Sequence, residues 1–171
     1  LVLAVLLALS AAACKEGDSV VVHSLTFNGI KGVDEVRLRS ALATRENTRV
    51  PVVGWQLPWG RKAPFDRGRF DADLKRIEAF YADRGFPGVR VTNVDVTLNA
   101  KKDAVDVTLT LDEGQPVTVA AVDFLGFEVI PPDRLAQMQA QMPLVVGMPR
   151  DRQLAVAARE LAVNTLRDHG Y

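Results

Sequence analysis

The residues of this chain that could carry chemistry are few and scattered. There are two histidines, His23 and His169, and one cysteine, Cys14. His23 lies in a β-rich run and His169 near the end of a helical pattern, where a positive charge is favoured by the helix dipole. Neither has a second histidine or a cysteine at metal-ligand spacing. Gly54 and Gly60 flank Trp55-Gln56-Leu57-Pro58-Trp59, but no strand–GxxxxGK[ST]–helix pattern surrounds them. Asp71 and Asp73 read as solvated acids on different sides of a helix. No nucleophile triad, metal cluster or phosphate loop emerges, so no catalytic residue, metal or cofactor is assigned, and the chain reads as a non-enzyme. Trp55 and Trp59 stand among Pro51, Pro58 and Pro64. They either pack on their own domain or form a partner loop, tryptophan being enriched in interface hot spots.

Cys14 suggests a different chemistry, acylation. It follows the apolar run from Leu1 to Ala13, which is shorter than the roughly 20 residues a spanning helix needs. Residues 1–13 read as a signal peptide without its initiator Met and basic start, and residues 14–18 as a linker. Ser10-Ala11-Ala12-Ala13-Cys14 resembles a bacterial lipobox, with Ala11 where leucine is preferred. Ala11 and Ala13 equally satisfy A-x-A, so cleavage without lipidation stays open. Lys15 beside the cysteine resembles an outer-membrane sorting signal. No second cysteine exists to form an intramolecular disulfide.

The elements that must position any site come from composition and periodicity. Hydrophobic residues at 48% and charged residues at 25% are those of a folded chain. Equal counts of 21 basic and 21 acidic residues leave no field to gather nucleic acid, and 6% aromatics leave little for base stacking. A β-rich stretch, Val20 to Phe27, ends at Asn28-Gly29. Val33, Val36, Leu38 and Leu42 then suggest one helical face, with Asp34 and Glu35 at its start. Phe70, Leu74, Ile77 and Tyr81 form a second stripe, capped by Asp66 and closed by Gly85 and the aromatic Phe86. Val89 and Val91 alternate, parity slips near Thr92-Asn93, which suggests a bulge, and Val94, Val96 and Leu98 resume. After the turn at residues 99–103, Val105, Val107, Leu109 and Leu111 alternate without interruption.

This β-α-α-β-β order begins again. Phe27-x-Gly29 recurs 97 positions later as Phe124-x-Gly126, after a second strand-like run from Val117 to Phe124. Pro131, Pro132 and Asp133 open a helix. Pro64, Asp66, Asp83, Gly85 and Phe86 recur 85 positions later as Pro149, Asp151, Asp168, Gly170 and Tyr171. The difference between the offsets places the extra residues of the first copy within residues 45–63, which have loop composition. Residues 19–115 form one unit. Residues 116–171 form a second that stops after β-α-α, as expected of a piece of a longer protein.

Those repeated motifs, with "PFDRGRFDADLKRIEAFYADRGFPGVRV" and "VDVTLTLDEGQPVTVAAVDFLG", resemble POTRA (polypeptide-transport-associated) domains of BamA/TamA-type outer-membrane proteins. The resemblance covers roughly residues 19–171. It implies an α+β fold of tandem units, each a three-stranded mixed sheet with two helices on one face. It also implies a place on the periplasmic face of the outer membrane, held by a lipid on Cys14, by a C-terminal β-barrel, or by both. Implied partners are unfolded outer-membrane or secreted polypeptides and accessory assembly lipoproteins. It makes the first hairpin strand a sheet edge, so Val89, Arg90, Val91, Thr92, Asn93, Val94, Asp95 and Val96 become the candidate rail for strand addition by clients. A scaffold that docks envelope proteins without binding clients is the alternative.

Overall fold

Four apolar side chains on alternate residues, Val105, Val107, Leu109 and Leu111, are all buried, and their strand is the middle of the sheet. The computed structural model describes residues 20–47, 51–52, 55–56, 63–168 and 170, with backbone alone at 51–52 and 55–56. Its elements run β1 (Val21–Asn28), α1 (Glu35–Ala41), β2 (Pro51–Val52), β3 (Trp55–Gln56), α2 (Arg67–Asp83), β4 (Arg90–Leu98), β5 (Ala104–Asp112), α3 (Pro132–Ala140) and α4 (Arg152–Asp168). The main sheet has the order β1-β5-β4, with β1 parallel and β4 antiparallel to β5. A parallel neighbour cannot be reached by a tight turn. The chain from β1 therefore passes through both helices and β4 before β5 slots in beside it. Both helices lie on one face, where Leu38, Phe70, Ile77 and Tyr81 join the alternate β5 side chains in one core.

Local chemistry fixes the helix ends. Asp34 and Asp66 accept from the amides of Arg37 and Arg69 three residues on, as N-caps do. At the end of α2, Gly85 adopts φ +88, the Gly85 amide donates to the carbonyl of Ala82 and the Phe86 amide to that of Tyr81. This is a Schellman closure, and its hydrophobic contact is Phe86 edge-on to Tyr81 at 6.1 Å. The parity slip in β4 is a real bulge: the register shifts between Val91 and Asn93.

Three details differ from the sequence reading. Val36 is 75% exposed, because it stands two positions before the fully buried Leu38 and residues at i and i+2 point to different sides of a helix. Leu74 is only half-buried, and Asp73 beside it is 1% exposed. Asp73 is therefore no solvated acid: positions 70, 73, 77 and 80 share the buried face at helical spacing. The run from Val117 to Phe124 is not a strand. Its pairing is confined to one bridge, Thr118↔Pro149, where Val117 and Val119 exchange backbone bonds with residues 147–150; residues 120–124 have no such partner among the described residues.

That bridge is itself a repeat. The first unit has Val21↔Pro64, and both partners are displaced by the two sequence offsets, 97 and 85. Asp151 caps α4 through the amides of Gln153 and Leu154. Phe127, Ile130 and Met138 form a small second core. The units touch at Gly85, whose carbonyl accepts from Val117 at 2.8 Å. An added Cβ on Gly85 would stand 2.7 Å from the Arg150 amide nitrogen.

Candidate functional site

A three-stranded sheet has two edges, and the fold treats them differently. The outer side of β1 is covered over its first half. Val22 donates to the Ala63 carbonyl and accepts from Asn47, Leu25 donates to the Glu46 carboxylate, and the carbonyl of Val20 accepts from Phe65. The outer side of β4 has no such cover among the described residues.

Ladder parity says which β4 groups are open. Asn99 donates to the carbonyl of Ala104, so this facing pair is hydrogen-bonded. Opposed pairs alternate between bonded and non-bonded in an antiparallel ladder. With the register Leu98↔Val105, Thr97↔Asp106, Val96↔Val107, Asp95↔Thr108 and Val94↔Leu109, the inward groups belong to Asn93, Asp95 and Thr97. The N–H and C=O groups of Val94, Val96 and Leu98 point outward. A second bond agrees: Val21 donates to the Asp103 carbonyl, so Asp103 faces β1 while Ala104 faces β4.

The candidate residues named from sequence divide accordingly. Val89 is buried and precedes the strand, while Arg90 begins it, exposed. Val91 and Val96 are half-buried against the core. Thr92 occupies the bulge and donates its hydroxyl to the Thr110 carbonyl. Val94 and Leu98 stay 40% and 45% exposed on the same sheet face as Val96. Asn93 and Asp95 are exposed on the opposite face, where the Thr97 hydroxyl donates to Asp95 at 3.3 Å. The edge thus carries an apolar row and a polar row.

Trp55 lies in the two-residue strand β3, opposite Val52; Trp59, Cys14 and His169 lie outside the described residues. His23 is exposed at a bulge in β1, with Nδ1 2.7 Å from Asp106 Oδ1. The Ser24 hydroxyl donates to the same oxygen. These bonds, Ser24 first and His23 second, hold the Asp106 carboxyl below the usual carboxylate range. Serine and histidine both address the acid and not each other, so there is no relay to activate a nucleophile. Among the described residues no group of three or more His, Cys, Asp or Glu could hold a metal, and no helix is long and apolar enough to cross a membrane.

Two carboxylates that hold the frame were missed. Glu113, just past β5, accepts from the amides of Lys31 and Gly32 and from the Tyr81 hydroxyl at 2.9 Å. Burial, then that bond to Glu113, raises the Tyr81 pKa well above the usual phenol value. Asp73 accepts from the Ala43 and Thr44 amides. Nothing local in sequence marks Glu113; for Asp73 the helical spacing from Phe70 and Ile77 was the available signal.

Comparison with known proteins fits this architecture. Residues 20–114 match the family model described as POTRA, surface antigen variable number repeat. A curated protein of Treponema pallidum (strain Nichols), named as an outer membrane protein assembly factor, is 29% identical over 137 residues. The match covers 78% of this chain and 15% of that protein's length. Similar solved structures include POTRA3-5 of BamA from Haemophilus influenzae, at 22% identity and TM-score 0.47, covering 85% of this chain and 54% of that one. BamA from Haemophilus ducreyi lacking POTRA domains 1-3 matches at 16% identity and TM-score 0.40, covering 85% and 24%.

Proposed function

The chain belongs to the POTRA family, and from that premise we propose that it is a periplasmic polypeptide-binding module of an outer-membrane protein assembly or translocation factor, taking extended client strands at the open edge of β4. The observation that carries this reading is the asymmetry of the edges: outward groups of β1 at Val22 and Leu25 are bonded within the unit, whereas among the described residues none of those of Val94, Val96 and Leu98 is. Main-chain pairing suits clients of varied sequence, because every extended peptide offers the same donors and acceptors. The name of the Treponema pallidum relative, which this chain matches over 15% of its length, is consistent with that role.

The ligand's own backbone supplies the test. An alternating apolar/polar peptide, added as a strand, turns every second amide toward β4 and the others away. N-methylation of the inward set removes donors worth roughly 0.5–1.5 kcal/mol each, so methylating two of them should weaken binding about tenfold or more. Methylation of the outward set should leave binding nearly unchanged. Slipping by one residue cannot rescue the first peptide cheaply, because it turns the apolar row to the polar face. A scaffold that docks a folded accessory protein would not distinguish the two peptides, and equal affinity for both would remove the strand-addition reading.

A further inference from the structure

The open edge of β4 also fits itself. We propose that β4 pairs antiparallel with β4 of a second copy of the chain, about a two-fold axis through Val96, to give a continuous six-stranded sheet. The outward groups of Val94, Val96 and Leu98 are evenly spaced about Val96. Rotation about that centre sets Val94 opposite Leu98 of the partner, Val96 opposite Val96 of the partner, and Leu98 opposite Val94 of the partner. Each such pair exchanges both of its hydrogen bonds, about six in all. The side chains agree with the backbone. Val94 and Leu98, the exposed apolar residues of the strand, cover each other's copies. On the other face Asp95 meets Thr97 of the partner, and the threonine hydroxyl already donates to a carboxylate of this kind within one chain.

Neighbouring registers are worse. With Asp95 on the axis, two carboxylates would face each other directly, which is destabilising across a strand pair. With Thr97 on the axis, Val94 is carried beyond the partner's strand end and one facing pair of bonds is lost. Arg90–Leu98 contains no lysine and no proline, and its bulge lies N-terminal to the window from Val94 to Leu98, so that window is left unguarded but for Asp95. The bulge at Thr92 and the turn after Leu98 limit the contact to this one window, so the association is weak and concentration-dependent. A client strand and a second copy would occupy the same outward groups of β4, so the pairing is read on the chain without client peptide.

Cysteine cross-linking of the full chain, with Cys14→Ser removing its only native thiol, reads the register directly. Residue 96 faces its own copy at a Cα separation of about 5.5 Å, within disulfide reach. Residue 94 is displaced from its copy by four residues, roughly 13 Å, which is out of reach. Under mild oxidation, Val96→Cys should form a linked dimer at least about tenfold faster than Val94→Cys alone. Adding Val94→Pro to Val96→Cys should abolish the link. A mixture of Val94→Cys and Leu98→Cys chains should give the heterodimer, which keeps the test open if Val96→Cys does not fold. Equal rates at positions 94 and 96, or monomers throughout in chains with native amide spectra, would overturn the pairing.

Discussion

Asp73→Ala is expected to lower the unfolding free energy of the first unit by about 2–4 kcal/mol, the cost of removing a buried carboxylate that accepts from two backbone amides and from a half-exposed guanidinium. Asp73 is 1% exposed. Its two oxygens accept from the amides of Ala43 at 2.9 Å and Thr44 at 2.7 Å, and Arg76 donates to it from the next turn of α2. The amides belong to the chain that leaves α1 after its C-cap Leu42. Alanine leaves the buried Thr44 amide without an acceptor, at about 1–3 kcal/mol, and the less buried Ala43 amide at a smaller cost. That is a large share of the 5–15 kcal/mol that holds a typical domain. Asp73→Asn keeps the shape and one oxygen, so roughly half the loss is expected. The pH dependence has a definite sign. Burial pushes the Asp73 pKa up, but the bonds from Ala43, Thr44 and Arg76 outweigh it and hold the carboxyl below its ordinary value of 3.8. The stabilisation is therefore complete above that unfolded-state value and is lost as pH falls through the lower native one. Urea unfolding of the wild type and both variants at pH 7 and pH 3 measures this. A change below about 0.5 kcal/mol for Asp73→Ala, the scale of an ordinary surface substitution, would contradict the assigned role.

Adjacent prolines in β4 should have opposite consequences. The Asp95 amide faces Thr108 across the ladder, so Asp95→Pro removes an interior bond and forces its ring between paired strands. A loss of about 2 kcal/mol or more is expected, with collapse of the hairpin peaks in an amide spectrum. The Val94 amide points away from β5, so Val94→Pro should leave the spectrum near native outside β4. It should still weaken an extended outer-membrane-protein peptide about threefold to tenfold, because one bond and its register are gone. Fluorescence anisotropy with a labelled peptide gives the second number. If Val94→Pro unfolds the hairpin while Asp95→Pro is tolerated, the parity is reversed and the outward groups are those of Asn93, Asp95 and Thr97.

Much of this arrangement was legible in the sequence because it is periodic. The alternation from Val105 to Leu111 specified a strand with one buried face. The slip at Thr92-Asn93 located the bulge, and Asp66 and Gly85 marked the ends of α2 by cap chemistry alone. The paired offsets of 97 and 85 reappear as two equivalent bridges, Val21↔Pro64 and Thr118↔Pro149. What escaped depends on contacts between distant residues. Asp73 follows Asp71 in an acidic, solvent-like context, and its partners lie 29 and 30 residues away. Glu113 meets amides 81 and 82 residues upstream. The missing strand at residues 117–124 shows the same limit: β-rich composition specifies a pleated surface, but a ladder needs a neighbour along its length, and the pairing with residues 147–150 ends at Val119. The open edge could be expected only from family resemblance. Its direction and outward groups required the register, which no periodicity reports.

The most direct test of client capture at β4 is an amide-shift titration of the isotope-labelled chain with an extended outer-membrane-protein peptide, combined with intermolecular NOEs between backbone protons. Strand addition at β4 predicts saturable shifts centred on Val94, Val96 and Leu98, with NOEs from these residues to alternate positions of the peptide. Shifts and NOEs confined to the segment containing Trp55 and Trp59, with β4 unchanged at saturation, would contradict it and move the client site to that loop.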